Sequence, residues 1–364
     1  MDGAGMGEIN SSYYKGKGAR IYSDFKTYAH SGKLLAGANA KEFCEKFANS
    51  KETVLVAEFG VGNGKFACDF LVEVEKKDSA LYAKTRYMLF DFSSKMLASA
   101  RKTLGMRAEK CEFIAFDAAK EKLPKRFAGK INYARMNELL TDLPCEFYAL
   151  QNKEVVEAEF GRHGEFSGFL GADAQETGLE NAQGSGAGSG HGGSGGFADV
   201  AGGSGFENGG QEGGFLDAGV AGNAGDRNII AGEFLSRIGE NYIIPFNFVA
   251  CEFVCELGGA LAQGGIIDIF DYGFSNAADV QGVPAQMWNM NIVREFGGQL
   301  TTDLNVPLLC AFAKSHGLKV EVQGQKQYVE NTLGKKVSIG ETRYEKSAKG
   351  IGESDMFFHV RILA

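Results

Sequence analysis

The sequence contains no run of 18 or more apolar residues, so no membrane-spanning helix is expected. Its first ten residues, MDGAGMGEIN, carry neither the basic-then-apolar order of a secretory signal nor the arginine-rich pattern of a transit peptide. Basic charge is not in excess: the formal net charge is -8 and the sequence pI about 5.4. A nucleic-acid binder that relies on bulk basicity is therefore excluded, and no nucleic-acid partner is expected. Cys-x-x-Cys is absent, and the seven cysteines are an odd number. Cys251 and Cys255 share a face if that segment is helical, but the neighbouring sequence offers no further ligands, so they read as buried reduced thiols rather than a metal site. A reducing compartment, the cytoplasm, is the expected location.

What is present is a chain long enough for one large domain or two ordinary ones, with 44% apolar and 23% charged residues among 364. Residues 53–137 alternate between two periodicities. TVLVAEFG (53–60), RYMLFDF (86–92), CEFIAFD (111–117) and KINYARMN (130–137) read as short buried strands. Between the first two, GKFACDFLVEVEKK (64–77) has helical spacing, and SSKMLASARKTL (93–104) reads as a helix with a serine cap. Strand–helix alternation implies parallel pairing with right-handed crossovers, hence an α/β fold with a doubly wound sheet. Such sheets bind ligands outside the carboxyl ends of their strands.

From Gly161 to Gly225 the composition changes to Gly, Ser, Ala, Asn and short acidic pieces. Few large apolar side chains are available there to offset chain entropy, so 161–228 reads as a disordered low-complexity insertion, with His191 solvent-exposed inside it. Order is expected again in a helix at 229–242, a longer apolar helix at 246–265 and a strand at 266–273. A loop carrying the only tryptophan, Trp288, follows, then a helix from Val306 to His316, a strand at 319–323, a helix at 327–334 and a last strand at 356–364.

The first strand runs into Glu58-Phe59-Gly60-Val61-Gly62-Asn63-Gly64. Glycines there permit positive φ and remove side chains between backbone and ligand, next to the free N–H groups of a helix start. A dinucleotide fold would require Gly-x-Gly-x-x-Gly, but Lys65 occupies the third glycine's place. The acidic-x-Gly-x-Gly-x-Gly pattern instead resembles motif I of the Rossmann-like class I methyltransferases that use S-adenosylmethionine. Asp91 and Asp117 end the second and third strands, 33 and 26 residues further on in turn. A carboxylate at the second strand end can accept both ribose hydroxyls. The resemblance implies that Glu58 helps hold the cofactor's ammonium and that Asp117 reaches the adenine amino group. Gly60, Gly62, Gly64, Phe92, Ala118 and Asn137 complete the implied cofactor set.

Within that superfamily the chain resembles the MidA-like family, whose mitochondrial member is a protein arginine methyltransferase that assists respiratory complex I assembly. The resemblance rests on Asn137-Glu138-Leu139-Leu140-Thr141-Asp142-Leu143-Pro144, on Ser23-Asp24-Phe25-Lys26-Thr27, on Asp271-Tyr272-Gly273, and on Gln325, Tyr328, Val329 and Leu333-Gly334. It covers roughly 10–150 and 240–364, and the glycine-rich segment falls where the family has extra strands around its substrate region. Departures from the family pattern are Thr141 in place of an aspartate, Ser23 in place of a glycine, a loose match at 301–305, and a start just before Tyr13-Tyr14, without the family's leading helix. The implied organisation is an N-terminal lid or substrate segment (1–50), a first part of the core (51–150), the insertion, and a second part of the core (229–364). A smaller substrate-covering subdomain accompanies the sheet.

Methyl transfer is an in-line displacement, so the protein must mainly align nucleophile, methyl and sulfur in a dry site. An arginine acceptor would need carboxylates that grip a planar, permanently charged group. Glu138, Asp142 and Asp271 are the catalytic candidates, on the expectation that two strand ends bring them to one rim. Asp24, Phe25 and Thr27 are the candidate lid. A protein substrate is expected and an oligomer is compatible with the sequence. A small-molecule methyltransferase and a non-catalytic assembly factor that keeps the fold stay open as alternatives, and a Rossmann oxidoreductase ranks last because of Lys65.

Overall fold

A computed structural model of the chain describes residues 3–23, 33–160, 166–170, 224–337 and 357–364. The candidate lid residues Asp24, Phe25 and Thr27, His191, and the insertion apart from 166–170 and its last residues lie outside the described set.

In chain order the elements begin with α1 (Gly3–Lys17), α2 (Leu34–Phe47), β1 (Val54–Phe59), α3 (Lys65–Lys77), α4 (Ser79–Lys84), β2 (Thr85–Asp91), α5 (Ser94–Leu104), β3 (Cys111–Ala115) and β4 (Ile131–Asn137). They continue with β5 (Glu146–Gln151), β6 (Glu154–Phe160), β7 (Phe166–Leu170), α6 (Ala224–Ile238), β8 (Ile243–Phe246), α7 (Phe248–Ala260) and β9 (Leu261–Phe274). The last are α8 (Ala277–Gln281), α9 (Ala285–Asn291), β10 (Val293–Phe296), β11 (Gln299–Thr302), β12 (Leu304–Asn305), α10 (Val306–Ser315), β13 (Lys319–Gly324), α11 (Gln325–Leu333) and β14 (Phe357–Leu363).

The main sheet runs β13-β14-β9-β4-β1-β2-β3, with β12 added beside β9. Pairings from β3 through β9 are parallel, and β14 is antiparallel to both its neighbours. This is the expected doubly wound sheet, with the chain reversing direction outward from β1. The central strands are buried on both faces, which is why they read as continuous apolar runs. Below one face, Phe43, Phe70, Tyr87 and Tyr133 pack with α2 and α3. Below the other, Phe59 stacks on Phe90 at 4.4 Å and meets Phe253 of α7. The serine cap forms as expected: the Ser93 hydroxyl accepts from Met96 N.

Three expectations are corrected. The region between β4 and β9 holds a second, antiparallel sheet in the order β7-β6-β5-β8, where the sequence reading placed no strand. Its first hairpin turns through Asn152 and Lys153, both at positive φ (49° and 69°), the two-residue turn that matches the twist of paired strands. Helix α7 stops at Ala260, and the chain passes directly into the 14-residue β9, so the glycines 264 and 265 belong to a strand and not to a helix end. Residues 3–17 form a helix, although the sequence reading placed no leading helix before the tyrosine pair; Tyr13 and Tyr14 lie on it. Among the described residues, no helix is long and apolar enough to cross a membrane.

Candidate active site

A cavity opens at the carboxyl ends of β1, β2, β3 and β4 and is roofed by α1. Its floor is the glycine turn. Gly60, Gly62 and Gly64 all have positive φ (69°, 57° and 75°), which explains the alternation seen in the sequence. Gly64 caps α3, and a methyl group added there would sit 2.7 Å from the Ala100 Cα. The turn is pinned to β2: Gly60 N donates to Phe90 O at 2.9 Å, and Gly62 N donates to Asp91 Oδ2 at 3.2 Å.

Asp91 ends β2 and lines the cavity. Its other oxygen accepts from Ser93 N at 2.9 Å. Burial pushes its carboxyl up to about 7, and the two amides only partly counter that. Phe92 and Ala118 line the same wall, as does Asp117, whose Oδ1 accepts from Ala119 N at 3.1 Å. Glu58 lines the cavity from β1 and is itself engaged. Tyr87 donates to its Oε2 at 2.7 Å and Arg135 to its Oε1 at 3.0 Å. Burial raises Glu58, against the opposing pull of Arg135 and Tyr87.

At the end of β4, Glu138 takes φ 49°, a left-handed turn for a non-glycine residue that costs on the order of 1 kcal/mol. Asn137 Nδ2 donates to Glu138 Oε1 at 3.0 Å, while the buried Asn137 Oδ1 has no partner. Both residues line the cavity. So does Asp142, which accepts from Tyr14 OH and from Gln299 Nε2, each at 2.6 Å. Burial raises Asp142 to about 6 against the pull of Tyr14, Gln299 and Thr301. Asp271 is the one catalytic candidate that the structure takes out of the rim. It is 1% exposed and accepts from Leu140 N, Thr141 Oγ1 and Tyr272 N, so it holds the 140–142 turn from beneath and is not among the cavity's lining residues. Thr141 therefore serves Asp271, and it is Asp142 that faces the cavity.

No residue of α1 was among the lid residues named from the sequence, Asp24, Phe25 and Thr27. Asn10 of α1 is 4% exposed and clamps β11: its Nδ2 donates to Leu300 O at 2.7 Å and its Oδ1 accepts from Leu300 N at 2.7 Å. The same Nδ2 lies 2.9 Å from Asp142 O, and Tyr14 meets Phe92 edge-on at 5.8 Å. Gln299, Thr301, Phe296 and Tyr272 close the far wall. The sequence signals for a cover were the expected lid or substrate segment at 1–50 and the tyrosine pair.

A family model described as "Putative S-adenosyl-L-methionine-dependent methyltransferase" matches residues 37–320. The chain belongs to this MidA-like methyltransferase family. In fold the methyltransferase is similar to two crystal structures of a COG1565-superfamily protein from Burkholderia thailandensis. One, crystallised with S-adenosyl-homocysteine, is 18% identical, has a TM-score of 0.57 and matches over 96% of this chain and 81% of its own. The other, a native structure, is 18% identical with a TM-score of 0.59, over 100% of this chain and 86% of its own. No curated protein matches the chain.

The cofactor of the family is S-adenosylmethionine, and the residues present fit it. The glycine turn leaves space above its backbone, Asp91 and Asp117 are carboxylates at successive strand ends, and the unpartnered Asn137 Oδ1 offers a buried acceptor. Among the cavity residues, Asp91 would take the ribose hydroxyls and Asp117 the adenine amino group.

Proposed function

We propose that this methyltransferase modifies an arginine of a protein partner. When bound, S-adenosylmethionine supplies a methyl group on a sulfonium sulfur, which needs an aligned nucleophile and little acid–base help. The observation that carries the reading is the pair of carboxylates, Glu138 and Asp142, lining the cavity with the aromatic rings of Tyr14, Phe92, Tyr272 and Phe296. A guanidinium is planar and cationic, so carboxylate edges and aromatic faces are the surfaces that recognise it. An approaching cation would draw Asp142 back into its ionised form, and Glu138 would orient the attacking nitrogen. A subunit of respiratory complex I is the partner that the family resemblance suggests. The seven cysteines are free, which supports a reducing compartment such as the cytoplasm.

The test is transfer from methyl-labelled cofactor to a whole-protein fraction and to a small-molecule fraction. Acid hydrolysis then identifies the labelled amino acid. Label in N-methylarginine is the expected result. Glu138→Gln should lower kcat by roughly 100-fold while leaving S-adenosylhomocysteine affinity within about 3-fold. Label confined to the small-molecule fraction would overturn the acceptor assignment.

A further inference from the structure

Arg135 is among the largest fully buried side chains of the described residues, at 0% exposure, and it lines the active-site cavity. A guanidinium carries five N–H donors. In this structure Nη1 donates to Glu58, while Nε and Nη2 have no partner. One face of the group is covered by Phe66, whose ring centroid lies 3.2 Å from Cζ. What remains is the edge formed by Nε and Nη2, whose N–H bonds run parallel and match the two oxygens of a carboxylate. Burying that edge with nothing on it is costly. The same chain shows how such an edge is used. Arg361 donates from Nε to Asp268 Oδ1 at 2.7 Å and from Nη2 to Asp268 Oδ2 at 3.0 Å.

From this we propose that Arg135 binds the α-carboxylate of the cofactor's amino-acid end through its Nε/Nη2 edge. Glu58 sits beside it with each oxygen accepting one hydrogen bond. A carboxylate oxygen has room for a second donor, which leaves Glu58 free to take the ammonium of the same group, as the family resemblance implies. The ion pair in the cavity wall is thus a receptor for a zwitterion, with opposite charges presented side by side. It discriminates adenosyl compounds that carry an intact amino acid from those that do not. The inference rests on the family's cofactor and is independent of the acceptor assigned above.

Calorimetric titration of the full chain with three probes tests it: S-adenosylhomocysteine, its carboxamide analogue, and 5′-methylthioadenosine, which has no amino-acid end. Wild type should bind the acid roughly 10- to 150-fold more tightly than the carboxamide, the range of a hydrogen-bonded charge. Arg135→Lys keeps the cation beside Glu58 but loses the edge, and the ratio should fall to about 3-fold or less. Arg135→Gln with Glu58→Gln neutralises the pair without leaving a buried charge, and should do the same. Both should bind methylthioadenosine within about 3-fold of wild type, which reports an intact nucleoside end. An equal affinity of wild type for acid and carboxamide would overturn the proposal without need of any variant. So would a wild-type ratio that persists in a variant still binding methylthioadenosine. Failure of all three probes on wild type would instead strike at the cofactor assignment itself.

Discussion

Cofactor affinity should rise with pH through neutrality, and Asp91 should be the cause. Its carboxyl is held at about 7 by burial, so the ligand-free protein is largely protonated there below neutral pH. Accepting two ribose hydroxyls requires the ionised form. Binding then has to remove a proton, and the apparent Kd grows by a factor of 1 plus the ratio of protonated to ionised carboxyl. At about pH 5.5 that factor is roughly 30, and at about pH 8 it is close to 1, so affinity should differ by about 30-fold across the range. Near pH 7 about half a proton should leave per ligand bound, which makes the binding enthalpy depend on the ionisation heat of the buffer. Asp142, at about 6, also titrates in this range. The control is therefore Asp91→Asn, which cannot ionise. It should bind roughly 10- to 150-fold more weakly at pH 8, the worth of a charged hydrogen-bond acceptor, and should lose most of the pH slope. A slope that survives intact in Asp91→Asn, or no slope in wild type, would refute the reasoning.

Two other outcomes follow from the geometry. Gly64→Ala places a methyl 2.7 Å from the Ala100 Cα on a backbone at φ 75°, so it should cost about 2–4 kcal/mol of stability and be read as a fall in Tm of several degrees. Asp268 is depressed: burial alone would raise it, but His359 and Arg361 hold it well below the usual carboxylate range. Its contribution is thus present above the unfolded carboxylate pKa near 4 and fades as pH falls toward the folded value, so Asp268→Asn should cost about 3 kcal/mol at neutral pH and flatten the acid limb of a Tm-versus-pH curve.

The parallel core was legible because strands buried on both faces spell themselves out as apolar runs, and their ends are where an acidic residue stands out. Glu58, Asp91 and Asp117 were reached by that logic and Glu138 by the family resemblance, and the structure lines one cavity with all four. Which acid on the rim faces inward was not legible. The turn at 140–142 decides it, since the amides of Leu140 and Thr141 draw Asp271 under the turn and leave Asp142 above it. The hairpin of β5 and β6 escaped notice because its outward positions are charged and its turn, Asn152-Lys153, lacks glycine. Helix α1 escaped because GAGMGEINSS has low helix propensity; tertiary contacts such as the Asn10 clamp support it instead. Arg135 did carry a signal, a lone cation inside a buried strand, which has to find an anion nearby.

The pairing of β4 with β9 bears on the order in which the chain can fold. Strands β1, β2 and β3 pair in succession through single crossovers, whereas Asn137 of β4 must find Phe270, with the whole second sheet between them in the chain. Contacts that span so many residues form late, after local ones have paid their loop-closure entropy. The wall of the cavity from Glu58 to Asp117, on β1 and just past β3, is therefore expected to be assembled first. The wall made by Tyr272, Gln299 and Thr301 arrives only when β9 docks, so pulse-labelled amide exchange during refolding should protect β1 and β2 before β9 and β11.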